Sequence, residues 1–142
     1  MALVNYNRSL LTNFANTSSF VLTGTNQLIL EFGLFVPQST NFIELLTTVG
    51  WSVTNVSPTE PNQPTLQLTI TQDGVPVASA DQESIEDGAD SPLENLASFQ
   101  AVLTNVPAGH HVYRLLALNL MPAQGTITIT GPTNISAKVI TV

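Results

Sequence analysis

His110 and His111 are the only histidines in the chain, and they are adjacent. Neighbouring residues of an extended strand point to opposite faces, so these two imidazoles cannot close on one metal ion within a chain. A metal on a rotation axis, taking one histidine per subunit, is the arrangement left to them. The alternative is a turn residue followed by a strand-end residue. Carboxylates make the second cluster: Asp81, Glu83, Glu86, Asp87, Asp90 and Glu94 crowd into one short stretch. Hard cations such as Ca²⁺ take several oxygens from a loop, which makes Asp81, Glu83, Glu86, Asp87 and Asp90 a candidate calcium loop. An EF-hand register from Glu83 places Asp87, Gly88 and Glu94 correctly. It sets Ile85 where a carboxylate belongs, however, and no helix flanks it. A solvated acidic loop that keeps copies from clumping is the competing reading. Glu31 and Glu44 lie amid apolar neighbours, where a catalytic carboxylate pair competes with outward-facing strand carboxylates. Trp51, Tyr113 and Tyr6 are too scattered to define a sugar platform, and Trp51 beside Gly50 reads as core. No G-x-S-x-G elbow, P-loop or H-E-x-x-H motif occurs. The sequence therefore points away from an enzyme, and it calls for no cofactor and no resident metal.

Composition narrows the remaining classes. The chain has 142 residues, a length that suits one domain. Its charged fraction is 9%, against roughly 25% in ordinary globular proteins. Thr, Asn, Ser and Gln carry the polarity instead. A surface with few long side chains has little side-chain entropy to lose on packing against a neighbour. Net charge is −7 and only Arg8, Arg114 and Lys138 are basic, so the basic footprint of a nucleic-acid binder is missing. The same balance disfavours an anionic membrane surface, and no apolar run approaches a spanning helix. Cysteine is absent, which removes disulfides and thiolate chemistry. Residues 1–14 do not show the cationic start and apolar stretch of a secretion signal.

Periodicity is that of strands throughout. Residues 65–72 alternate cleanly, with Leu66, Leu68 and Ile70 in and Gln67, Thr69 and Thr71 out. Asp73-Gly74 is a hairpin signal, and Pro76 on the return strand marks an edge. Strands are expected at 19–22, at 27–36 with a bulge or close approach at Gly33, and at 41–54 bent around Gly50. Further strands are expected at 96–104 and 111–120. Residues 125–131 and 134–142 are expected to pair as a hairpin around Gly131-Pro132. Three prolines make 55–64 a loop. Eight or nine such strands predict a single all-β domain, a β-sandwich or jelly roll, over 17–142.

One strand breaks the sandwich rule. Val112, Leu116, Leu118 and Leu120 fall on one side of 111–120, and Tyr113, Leu115 and Ala117 on the other, so both faces are apolar. A sandwich strand needs only one dry face. The second face predicts self-association, with Leu28, Leu30, Leu34, Tyr113, Leu115 and Ala117 as the subunit interface. Residues 1–16 form a short N-terminal arm ahead of the first clear strand. Its apolar side chains Leu3, Val4, Tyr6, Leu10 and Leu11 could connect subunits by adding to a neighbour's sheet edge, head to tail. The competing reading is that the arm is the first strand of its own domain, or is unstructured.

Residues 66–142 carry a pattern of strands and corners: Asp73-Gly74-Val75-Pro76-Val77, an insert, Phe99-Gln100-Ala101, Val106-Pro107-Ala108-Gly109-His110-His111-Val112-Tyr113, Leu118-Asn119-Leu120, and Ile127-Thr128-Ile129-Thr130-Gly131-Pro132. This resembles the exosporium protein C-type family of spore-forming bacteria and, more loosely, the C1q/TNF-like jelly rolls of other spore-surface proteins. The resemblance implies a jelly roll, a homotrimer, and a structural role on the spore exterior (the exosporium or an appendage fibre), with an anchor or tip protein as a further partner. The Gly-x-y collagen region and the crosslinking cysteines of related spore proteins are missing. A receptor- or glycan-binding tip module of a spore or phage filament is the alternative function.

Overall fold

The computed structural model describes residues 1–58, 63–84 and 93–142. The described residues form nine strands and no helix: β1 (Leu3–Thr12), β2 (Phe20–Val21), β3 (Gln27–Val36), β4 (Phe42–Thr54), β5 (Thr65–Gln72), β6 (Val75–Glu83), β7 (Leu93–Leu103), β8 (Gly109–Asn119) and β9 (Thr126–Ile140). They build two antiparallel sheets that face each other as a β-sandwich. One sheet runs β1-β9-β4-β7, with β2 also on β9; the other runs β3-β8-β5-β6. From β3 on, the chain crosses between sheets at every connection except the β5–β6 hairpin.

Alternating side chains explain the packing. Ile43, Leu45, Val49, Trp51 and Val53 of β4, with Ile127, Ile129, Ile135, Ala137 and Val139 of β9, point inward and are fully buried. They meet Leu66, Leu68 and Ile70 of β5, Phe32, Leu34 and Val36 of β3, and Tyr113, Leu115 and Ala117 of β8. Burying each such Leu, Ile or Val stabilises the fold by roughly 1.5–3 kcal/mol. Trp51 keeps its one polar atom satisfied by donating Nε1–H to Gln82 Oε1 at 2.6 Å. The β5–β6 turn has positive φ at both Asp73 and Gly74, the geometry that favours an Asx-Gly pair.

Three expectations need correction. Leu30, Leu34, Tyr113, Leu115 and Ala117 do not face a neighbouring subunit; Leu115 and Ala117 are 0% exposed within the single chain. The opposite parity of β8, Val112, Arg114, Leu116 and Leu118, points outward. Of the six residues assigned to the interface only Leu28 is exposed, because a register shift between Leu28 and Leu30 turns it to the outer face. Second, there is no terminal hairpin. β9 runs unbroken from Thr126 to Ile140, and Gly131-Pro132 forms a bulge within it rather than a turn. Gly50 of β4 makes this passage possible, since a Cβ there would lie 1.9 Å from the Gly131 carbonyl oxygen. Third, the chain does not divide at residue 16. β1 pairs with β9 from Leu3 to Thr12, so the segment read as an arm is an edge strand of its own sheet.

Candidate functional site

The histidines do point to opposite faces, and only one is exposed. His110 lies outside, its ring tilted against Phe35 at 4.8 Å between centroids. His111 is buried. Its Nδ1 meets Asp73 Oδ2 at 2.6 Å and its Nε2 meets the Pro107 carbonyl at 2.6 Å. Both partners are acceptors, so the protonated ring, which donates from both nitrogens, satisfies both bonds at once. Burial opposes the charge, but the bonds to Asp73 and Pro107 outweigh it and raise the pKa of His111 above its usual value. Asp73 is held below the usual carboxylate range, first by the Val112 N–H on Oδ1 and then by His111. This pair pins the β7–β8 corner to the β5–β6 hairpin. Beside it, Tyr113 donates its hydroxyl to Gln72 Oε1, and burial and the Asp73 charge raise its pKa. These bonds join two corners of the sandwich and read as a structural clamp.

The acidic segment is partly placed. Asp81 and Glu83 lie exposed on β6, while Glu86, Asp87 and Asp90 lie outside the described residues. Among the described residues no three His, Cys, Asp or Glu side chains gather in a way that could hold a metal. Glu31 and Glu44 fall in different sheets. Glu31 is paired on the surface with Arg114 at 2.9 Å, an exposed ion pair of little energetic weight. Trp51 and Tyr113 are core, and Tyr6 is a surface residue, so no aromatic platform forms.

What the surface does offer is apolar. Leu46, Leu96 and Val102, together with Tyr6 and Leu10, stand exposed on the outer face of β1-β9-β4-β7. Leu28, Phe35 and Val112 do so on the outer face of β3-β8-β5-β6. The five N-terminal residues Leu3, Val4, Tyr6, Leu10 and Leu11 are all exposed. Facing inward on the same strand are Asn5 and Asn7, opposite Val139 and Ala137. Each amide does two jobs. Nδ2 of Asn5 donates to the Phe35 carbonyl at 2.8 Å, and Nδ2 of Asn7 to the Gly33 carbonyl at 2.6 Å. Their Oδ1 atoms accept from the N–H groups of Tyr6 and Arg8, both at 2.9 Å. Two N–H groups of β1 and two carbonyls of β3 are thereby satisfied by side chains. Sequence periodicity could not find this role, because it depends on which strands end up side by side.

No family model matches the chain, and no curated protein matches it.

Proposed function

We propose that this chain is a non-enzymatic, self-assembling structural subunit. The observation that carries the reading is the set of large apolar side chains on the outer faces of both sheets, in a chain with 9% charged residues. Exposed apolar patches on a β-sandwich mark interaction surfaces. Around Leu46, Leu96 and Val102 the outer face also carries Glu44, opposite Val102, with Lys138 on the next strand, so a covering copy would have to leave those two groups at the rim. The alternation of strands between sheets supports assigning the sandwich to the C1q/TNF-like jelly rolls. That assignment, with the exosporium-type motifs, supports a homotrimer built into a bacterial spore surface layer or appendage fibre. The apolar outward side of β1 suits it to connect neighbouring subunits.

Negative-stain microscopy combined with light-scattering mass measurement tests the reading. Trimers or fibres are the expected result. A concentration-independent monomer overturns it, and discrete particles that bind a glycan array would favour a tip module instead.

A further inference from the structure

A sandwich has four strand edges, and each edge of an exposed strand is a template for another chain unless something guards it. Three edges here are guarded. β1 and β3 are tied to each other by the Asn5 and Asn7 amides, which occupy two N–H groups of β1 and two carbonyls of β3, and β1 is further interrupted by register shifts at both ends. β6 carries Pro76, a register shift beside it, and the acids Asp81 and Glu83. The fourth edge, β7, differs. Its pairing with β4 runs from Leu93 to Leu103 without a shift, and it holds no proline and no charge beyond Glu94. The Leu96 carbonyl points away from β4, where it accepts from Gln82 Nε2 at 3.2 Å. Backbone groups alternate along an antiparallel strand, so those of Ser98, Gln100 and Val102 point the same way. Among the described residues no side chain caps them.

The sequence of this edge reads nearly the same in both directions about Phe99. Ser98 mirrors Gln100, Ala97 mirrors Ala101, and Leu96 mirrors Val102. We infer that β7 pairs antiparallel with β7 of a second copy, on a two-fold axis at Phe99, so that the β1-β9-β4-β7 sheet continues into its twin. In an isologous contact each residue i meets j while j meets i, and the mirror pattern from Leu96 to Val102 sets side chains of like polarity in every such pair. In that register Ser98 and Gln100 exchange N–H and C=O bonds across the axis, which matches the direction their groups point. Apolar Leu96 and Val102 lie opposite each other on the outer face. Phe99 meets Phe99 of the second copy on the inner face, at the mouth of a slot of about 130 Å³ whose floor is Leu66, Leu68, Ala80 and Ala97 and whose rim holds Asp81 and Gln82. Glu94, the one charged residue of β7, falls opposite Thr104, far from its own symmetry mate.

The inference rests on the self-assembly reading and names one of its contacts. Because the chain has no cysteine, single thiols report the register. An equimolar mixture of Ser98→Cys and Gln100→Cys chains should give a disulfide-linked dimer under mild oxidation, and neither variant alone should. Gln100→Pro, which removes a free-edge N–H without touching the β4 ladder, should abolish the associated species while Trp51 emission stays native. If wild type associates but the two cysteine variants crosslink as readily alone as mixed, the β7 joint is wrong and self-assembly stands. If wild type is monomeric at every concentration, both fall. Should Gln100→Pro fail to fold, the cysteine mixture decides.

Discussion

Asp73→Asn isolates the charge in the His111 clamp. Asn keeps the shape of the side chain, tolerates the positive φ of 51° at this position and still accepts from the Val112 N–H. It loses the anionic partner of His111 Nδ1. A hydrogen bond between charged groups contributes about 1.5–3 kcal/mol when shielded. His111 is 9% exposed but Asp73 is 48% exposed, so solvent screening reduces this to about 1 kcal/mol. The sign with pH follows from the two shifts. His111 has a raised folded pKa, so its contribution is complete below the unfolded value of 6.5 and is lost as pH rises through the folded pKa. Asp73 has a lowered one, so its contribution is present above 3.8 and is lost as pH falls through the folded pKa. In Asp73→Asn the histidine becomes neutral, accepting at Nδ1 and donating from Nε2 to Pro107. Burial then lowers its pKa, and the slope of stability against pH reverses near neutrality. Urea unfolding at pH 5, 7 and 9, followed by the fluorescence of the single, fully buried Trp51, measures this. The variant should lose about 1 kcal/mol at pH 5 and close to nothing at pH 9. An equal loss at both pH values would falsify the imidazolium assignment.

Leu115→Asp and Leu116→Asp differ by one residue and one face. The first places a carboxylate where exposure is 0% and should abolish folding, and the second should leave a folded chain less stable by about 1 kcal/mol, both read by circular dichroism and urea melts. Gly50→Ala drives a methyl into the Gly131 carbonyl and should cost at least about 3 kcal/mol or yield insoluble protein, whereas Gly74→Asn meets no atom within 4 Å and should cost only about 1 kcal/mol, from the strain of a side chain at a φ of +87°. Asn7→Ala strips a donor from the Gly33 carbonyl and should cost about 1 kcal/mol, with faster amide exchange at Arg8 as its local sign.

Alternation identified the sandwich where only one face was apolar. Residues 65–72 show it: Leu66, Leu68 and Ile70 went inside as their spacing required, and Asp73-Gly74 turned as its φ preferences require. Where both faces were apolar, counting leucines could not choose between them. Arg114 could have, because it shares parity with Val112, Leu116 and Leu118 and a buried arginine is rare. The same argument from Glu31 would have turned Leu30 and Leu34 inward. Leu28 escapes even that rule, since the bulge beside it is invisible to parity. Gly131-Pro132 has the composition of a turn, yet the missing Cβ of Gly50, far away in sequence, lets the strand continue through a bulge. The spacing of Asn5 and Asn7 points to no role by itself, and only the arrival of the β3 edge gives them partners.

Those two asparagines also decide how the molecule responds to ionic strength. Many edge strands are kept apart by lysines and glutamates, whose repulsion fades as salt shortens the Debye length. Neutral amides are indifferent to that screening, so β1 and β3 stay closed in brine. The charge of −7 that holds whole copies at a distance does fade. Concentrated electrolyte should therefore lower the barrier between molecules while leaving their bare β7 edges as the easiest place to meet, and association should become more ordered, not more promiscuous, as salt rises.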